Sequence, residues 1–257
     1  MTEPLLAQLR ELLAHRPVLL ALDFDGVLAP LVDVPSTARA LPGTAELLAA
    51  LARVEGVQVA LVSGRSLADL RLVAQVPANS ALLLVGSHGA EWGDAGLAAT
   101  GPTLDDDARQ RLALVRSAFT TIAARHPGVH VETKPAGVVL HTRAASRADA
   151  ASATAAGLAA ASAVPGARVS QGKEVVEVSV VRADKGSALN RLRDALAVRA
   201  VLYAGDDVTD EDAFAVLGPG DIGIKVGPGP SRAAYRLPDP AAVQSLLRTV
   251  LGLAVPT

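Results

Sequence analysis

Cysteine is absent from the 257-residue chain, which excludes disulfides, thiolate metal sites and cysteine nucleophiles together. Aromatic residues make up only 2% while hydrophobic residues reach 50%, so the core must be aliphatic, built of Leu, Val and Ala. Neither sign of charge dominates: 24 Lys and Arg stand against 26 Asp and Glu, a formal net charge of -2. No Lys/Arg block stands out, so neither a nucleic-acid nor a membrane partner is expected. Long apolar runs are missing as well. The least polar stretch, 148–164, is rich in Ala and Ser, contains Asp149 and Gly157, and is too weakly hydrophobic to span a bilayer. Residues 1–13 mix charge and leucine as an amphipathic helix does, unlike a signal peptide. A cytoplasmic, monomeric protein is the expectation.

What is present is organised around residues 18–28, where five apolar residues run into Asp23, Phe24, Asp25 and Gly26. Such a run reads as a strand buried on both faces of a parallel sheet. Ligands of open α/β sheets collect at the carboxyl ends of the strands, where Asp23 and Asp25 fall. Paired carboxylates there repel each other unless a cation sits between them. A helix over 45–53, with Thr44 as its cap, leads to a second apolar strand over 57–62 that ends in Ser63, Gly64 and Arg65. Ser66 caps the next helix, and a third strand over 82–85 ends in Gly86, Ser87, His88, Gly89, Ala90 and Glu91. Strands alternating with helices in this way make βαβ units.

The character changes near Gly101. A helix over 104–125, strands over 129–132 and 138–141, an Ala-rich helix, and strands over 167–170 and 175–180 suit an inserted α+β domain. The βαβ rhythm then resumes with a helix from Lys185, a strand over 201–204 that ends in Gly205, Asp206 and Asp207, a short strand over 221–226 and a closing helix over 240–253. The expected fold is α/β: a Rossmann-like parallel-sheet core with helices on both faces, formed by 1–102 and 181–257, plus an α+β cap over 103–180.

Four strand or helix ends therefore carry polar groups: Asp23 and Asp25, Ser63, Lys185, and the acidic group Asp206, Asp207 and Asp210. Mg2+ prefers a few carboxylates together with water and substrate phosphate. Asp23 and Asp206 suit it, as does the backbone carbonyl of Asp25; Asp207 or Asp210 would complete the shell. Asp23 can attack phosphorus to give an aspartyl-phosphate. Lys185 and the Ser63 hydroxyl can donate to the transferring oxygens. Asp25 can protonate the leaving alkoxide and later deprotonate water.

These four stretches, in this order, resemble the motifs of haloacid dehalogenase superfamily phosphatases. More narrowly, 86–91, Glu132 to Lys134, His141 to Arg143, 171–178 and 205–214 resemble trehalose-6-phosphate phosphatases. The resemblance implies a Mg2+-dependent Asp nucleophile at Asp23 and a cap that closes over the sugar. It also implies sugar contacts from Arg65, His88, Glu132, Lys134, Arg143, Lys173 and Glu177, and a functional link to a trehalose-phosphate synthase. Val27 departs from the usual Thr or Ser of the superfamily, and Thr142 from the aromatic these phosphatases carry between His and Arg.

The expected activity is hydrolysis of trehalose 6-phosphate to trehalose and phosphate. Sucrose 6-phosphate or a glycosyl-phosphoglycerate would fit the same chemistry. A phosphomutase would need a more cationic cap, and a non-catalytic sugar-phosphate sensor would have no need of both Asp23 and Asp25.

Overall fold

A computed structural model of the chain describes residues 2–77, 80–93, 104–172, 174–181 and 183–255. The chain forms two compact units, Met1–Gly101 with Asp184–Thr257, and Pro102–Ala183.

The first unit opens with α1 (Glu3–Ala14) and β1 (Val18–Leu22). All five β1 residues are buried. Val18, Leu20 and Leu22 join one hydrophobic cluster, while Leu19 and Ala21 join another. That is the two-residue alternation of a strand, here with apolar cover on both faces. α2 (Thr44–Leu51), β2 (Val57–Val62), α3 (Leu67–Val73), β3 (Leu83–Gly86) and the two-residue β4 (Glu91–Trp92) follow. Ser66 caps α3 as expected, its hydroxyl accepting from Asp69 N at 3.1 Å. Thr44 does not cap α2. Gly43, in a left-handed conformation, takes that position, and Thr44 is a buried first-turn residue whose Oγ1 accepts from Gln244 Nε2 at 2.9 Å.

The second unit holds α4 (Asp106–Ala123), β5 (His130–Lys134), β6 (Gly137–His141), α5 (Arg147–Ser162), β7 (Arg168–Gly172) and β8 (Val175–Ser179). Its antiparallel sheet has the order β5-β6-β8-β7. β5 and β6 extend further than the sequence suggests, leaving only Pro135 and Ala136 between them. Val138, Leu140, Val176 and Val178 pack with Val115 and Phe119 of α4 and with Ala153 and Ala161 of α5. Alternation sends Glu132, Val139 and Glu177, which pair in register across three strands, to the opposite face of this sheet.

The chain then completes the first unit with α6 (Lys185–Leu196), β9 (Ala200–Gly205), the single-turn α7 (Glu211–Phe214), β10 (Ile222–Val226), β11 (Tyr235–Leu237) and α8 (Pro240–Ala254). The seven strands order as β11-β10-β9-β1-β2-β3-β4. Every pairing is parallel except that of β3 with β4. Leucines of α1 and α2 and apolar residues of α8 cover one face, and Leu189 and Leu192 of α6 with Phe214 of α7 cover the other. This is the expected α/β architecture, with β4, β11 and α7 added to it. Among the described residues, no helix is long and apolar enough to cross a membrane.

Candidate active site

β1 lies between β2 and β9, parallel to both, so the carboxyl ends of all three emerge on one side of the first unit. Asp23 leaves β1 with its N–H still bonded to Ala204 O of β9 at 2.9 Å. Its Oδ1 accepts from Phe24 N and its Oδ2 from Lys185 Nζ, each at 2.6 Å. Lys185 reaches this point because Asp184 caps α6 in a reciprocal capping box with Ser187, which makes Lys185 the first helical residue. The Lys185 side chain is 1% exposed and donates also to Asp210 Oδ1 at 2.7 Å.

Asp210 is fully buried and accepts three hydrogen bonds. Besides Lys185, the Tyr203 hydroxyl donates to its Oδ1 at 2.7 Å and Asp207 N to its Oδ2 at 2.8 Å. Asp23, Asp206 and Asp210 each offer an oxygen within 4.8 Å of the others. Three carboxylates there face one directly bonded ammonium. Burial, opposed by Lys185 and reinforced by Asp210, pushes Asp23 up to about 7. Burial and Asp210 push Asp206 up to about 6. Burial works against the Lys185 ammonium, but Asp23 and Asp210 outweigh it and hold its pKa above the ordinary value. Burial and Asp210 likewise raise the Tyr203 phenol well above its ordinary value. A site that resists ionisation of its own carboxylates favours an added cation, and an all-oxygen donor set suits a hard one.

Asp206 lies over Gly26, which has φ +71. Lys225, buried on β10, donates from Nζ to the Asp206 carbonyl oxygen. Asp207, expected as a metal ligand, has its side chain in a reciprocal cap with Asp210 at the turn Val208–Asp210. It is exposed and lies outside the three-carboxylate group, where Asp210 stands instead. The Asp25 carboxylate is not in that group either: Arg65 holds it, Nε to Oδ2 at 2.6 Å and Nη2 to Oδ1 at 2.7 Å.

Ser63 is buried at the end of β2, and its Oγ accepts from Arg65 N at 3.3 Å. His88 follows β3 in a left-handed conformation, as does Ser87. Its ring lies against Gly64, where an added methyl would come within 2.5 Å of it. The two loops are stitched together by Ser87 N to Arg65 O (2.7 Å), His88 N to Ser63 O (3.0 Å) and Leu67 N to Glu91 Oε2 (3.2 Å).

In the second unit, Lys134 Nζ donates to Glu177 Oε1 at 2.7 Å, and Glu132 Oε2 lies 2.9 Å from His141 Nε2. Glu132, Lys134 and Glu177 therefore share one polar sheet face. Arg143 is 60% exposed and lies 3.7 Å from Glu174. Lys173 falls outside the described residues.

Tyr203, Lys225, Glu91 and His141 are the polar groups that the sequence reading left without a role. A charged residue in the middle of β10, whose other residues are Ile, Gly, Ile and Val, was the available signal for Lys225.

Comparison with known proteins gives the family and the fold. The family model described as trehalose-phosphatase matches residues 21–241. A trehalose-phosphate phosphatase of Mycobacterium marinum is 36% identical over 240 residues, covering 86% of this chain and 58% of its own length. A bifunctional trehalose-6-phosphate synthase/phosphatase of Thermoproteus tenax is 35% identical over 89% of this chain, which corresponds to 31% of that protein. The chain thus spans less than two thirds of these curated relatives. The solved C-terminal domain of the C. albicans trehalose-6-phosphate phosphatase shares the fold, with a TM-score of 0.70, 23% identity and coverage of 98% and 97% of the two chains. With most of its length matched, the chain belongs to the trehalose-phosphatase family.

Proposed function

We propose that the protein hydrolyses trehalose 6-phosphate to trehalose and phosphate. The observation that carries this reading is the buried Asp23, whose carboxylate is bonded to Lys185 beside Asp206 and Asp210, in a chain of the trehalose-phosphatase family. Asp23 and Asp206, with the Asp25 backbone carbonyl, would hold Mg2+, and Asp210 would orient Lys185 beside them. When bound, the ion supplies positive charge that offsets the repulsion between Asp23 and a phosphate dianion.

Asp23 attacks phosphorus, the phosphorus–oxygen bond to the sugar breaks, and its electron pair goes to the sugar oxygen, which takes a proton from Asp25. Water then attacks the phosphoaspartate and gives a proton to Asp25. The bond from phosphorus to the Asp23 oxygen breaks, regenerating the carboxylate and releasing phosphate. Lys185 and the Ser63 hydroxyl neutralise and orient the transferring oxygens. Glu132, Lys134 and Glu177, with Arg143, Lys173 and His88, recognise the sugar hydroxyls, a role supported for the first three by their shared polar sheet face. The substrate would come from a synthase that joins two glucose units and leaves one phosphorylated, which the double name of the Thermoproteus tenax relative supports.

The test is phosphate release from a panel of sugar phosphates with Mg2+ and then with EDTA. Preference for trehalose 6-phosphate, lost on chelation, is the expected result. Equal turnover of sucrose 6-phosphate or of monosaccharide phosphates would overturn the substrate assignment.

A further inference from the structure

We infer that Arg65 is a positioning residue for Asp25, and that its fork sets where the proton is delivered to the leaving oxygen. This inference rests on the proposed phosphatase reading and departs from the expectation that Arg65 contacts the sugar. Nε and Nη2 of Arg65 donate in parallel to the two Asp25 oxygens at 2.6 and 2.7 Å, the bidentate geometry that suits a guanidinium to a carboxylate.

Arg65 is itself anchored at three further points. Nη2 also donates to Pro35 O at 2.9 Å, its backbone N–H donates to Ser63 Oγ, and its guanidinium lies 5.9 Å from the Phe24 ring centroid. The Arg65 side chain is 12% exposed whereas that of Asp25 is 31% exposed. The arginine is therefore the fixed member of the pair and the carboxylate the reachable one. With two nitrogens committed to Asp25 and little surface open, Arg65 is poorly disposed to bind sugar hydroxyls. Asp25 instead stands at the solvent side, held by a residue built into the wall.

Proton transfer needs the donor within hydrogen-bond reach of the leaving oxygen. The Asp25 side chain leaves the turn after β1, where Gly26 N donates to Ala29 O and both Leu28 N and Ala29 N donate to Phe24 O. Those bonds fix the backbone, and the Arg65 fork fixes the side-chain torsion. In the first step Asp25 gives its proton to the sugar oxygen as the phosphorus–oxygen bond breaks. In the second it takes a proton from water, so both steps depend on the same orientation.

The decisive experiment uses phosphate monoesters without a sugar, from aryl phosphates with good leaving groups to simple alkyl phosphates with poor ones. Only poor leaving groups need the proton. Arg65→Met is expected to lose about a hundredfold in kcat/KM on alkyl phosphates, the lower end of general acid catalysis; this constant reads only the steps through phosphoaspartate formation, before the water-dependent step common to all esters. The variant should lose less than about tenfold on activated aryl phosphates, making the dependence on leaving group steeper than in the wild type. In an Asp25→Asn background, assayed with aryl phosphate, adding Arg65→Met should cause no further fall.

Loss confined to sugar phosphates, with alkyl phosphates untouched, would make Arg65 a sugar contact and overturn the inference. A uniform loss of kcat/KM across all esters, or an additive loss on top of Asp25→Asn, would overturn it in favour of a structural or phosphate-binding role. A wild-type protein that releases phosphate from no ester would overturn the phosphatase reading itself, and this inference with it.

Discussion

Replacing Gly26 by alanine tests how closely the turn after β1 fits the carboxylate group proposed to hold Mg2+. Gly26 has φ +71, and an added Cβ would lie 2.0 Å from Asp206 Oδ2 and 2.3 Å from its Cγ. Contacts tighter than 3.4 Å are rare for real Cβ atoms, so the carboxylate must retreat by about 1.4 Å. A misplacement of about 1 Å at a reacting centre costs on the order of 100-fold in rate. The left-handed backbone adds roughly 1–2 kcal/mol of strain for any residue with a Cβ. At about 2–4 °C per kcal/mol for chains of this order, the melting temperature should fall by about 2–8 °C. Gly227 provides the matched control, because its φ is +74 and nothing lies within 4 Å of a Cβ built on it. Gly227→Ala should show the thermal loss of the backbone strain alone, no more than that of Gly26→Ala, and keep its turnover. The assay is Mg2+-dependent phosphate release at saturating substrate, alongside thermal unfolding of both variants. Wild-type turnover in Gly26→Ala, or equal loss of turnover in both variants, would refute the argument that Asp206 must sit over residue 26.

Asp23→Asn should fold normally and lose more than about 1,000-fold in turnover, since an amide is a poor nucleophile; near-wild-type activity would rule out the phosphoaspartate route. Glu177→Ala, which removes the partner of Lys134, should reduce turnover of the disaccharide phosphate by about tenfold or more and leave a small aryl phosphate within about twofold, the pattern of lost substrate binding. Equal losses on both would remove Glu177 from sugar recognition. Asp210→Ala should destabilise the fold by about 3–5 kcal/mol in urea unfolding, because it strips Lys185 of one buried partner and leaves the Tyr203 hydroxyl and Asp207 N–H unpaired. A loss under about 1 kcal/mol would count against Asp210 as the organiser of the site. Without metal, Asp206 near 6 and Asp23 near 7 lie above their unfolded value of 3.8, so ionising them costs native stability, and their contribution falls as pH rises from about 4 through 7. A cation competes with those protons, so the increase in melting temperature produced by Mg2+ should be small at pH 5 and grow through pH 7. An increment independent of pH would place the metal elsewhere.

The parts of the fold that could be read in the sequence are those whose signal is local. β1 announces itself as five apolar residues ending in Asp23, and Ser66 sits where a helix cap belongs, with its partner three residues on. Thr44 looked equally like a cap. Its true partner is Gln244, two hundred residues away, and no local pattern reveals a contact of that kind. The same distance problem hid the Arg65 fork, because Asp25 is forty residues earlier. Tyr203 falls inside the strand expected over 201–204, and nothing local tells that Asp210 comes back beneath it by a single turn. β4 and β11, of two and three residues, are too short for periodicity to register.

The placing of β1 between β2 and β9 also bears on how the chain is made. β2 is available soon after β1 emerges from the ribosome, but β9 follows about 140 residues later, after the whole second unit. At roughly 5–20 residues per second, the central strand waits about 7–28 s with one edge unpaired, and Asp23 waits as long for its lysine. Its inserted neighbour, with a hydrophobic core of its own, can collapse during that interval. Synthesis therefore completes the second unit before the first is closed, and until then the unpaired edge of β1 is open to pairing with a strand of another chain.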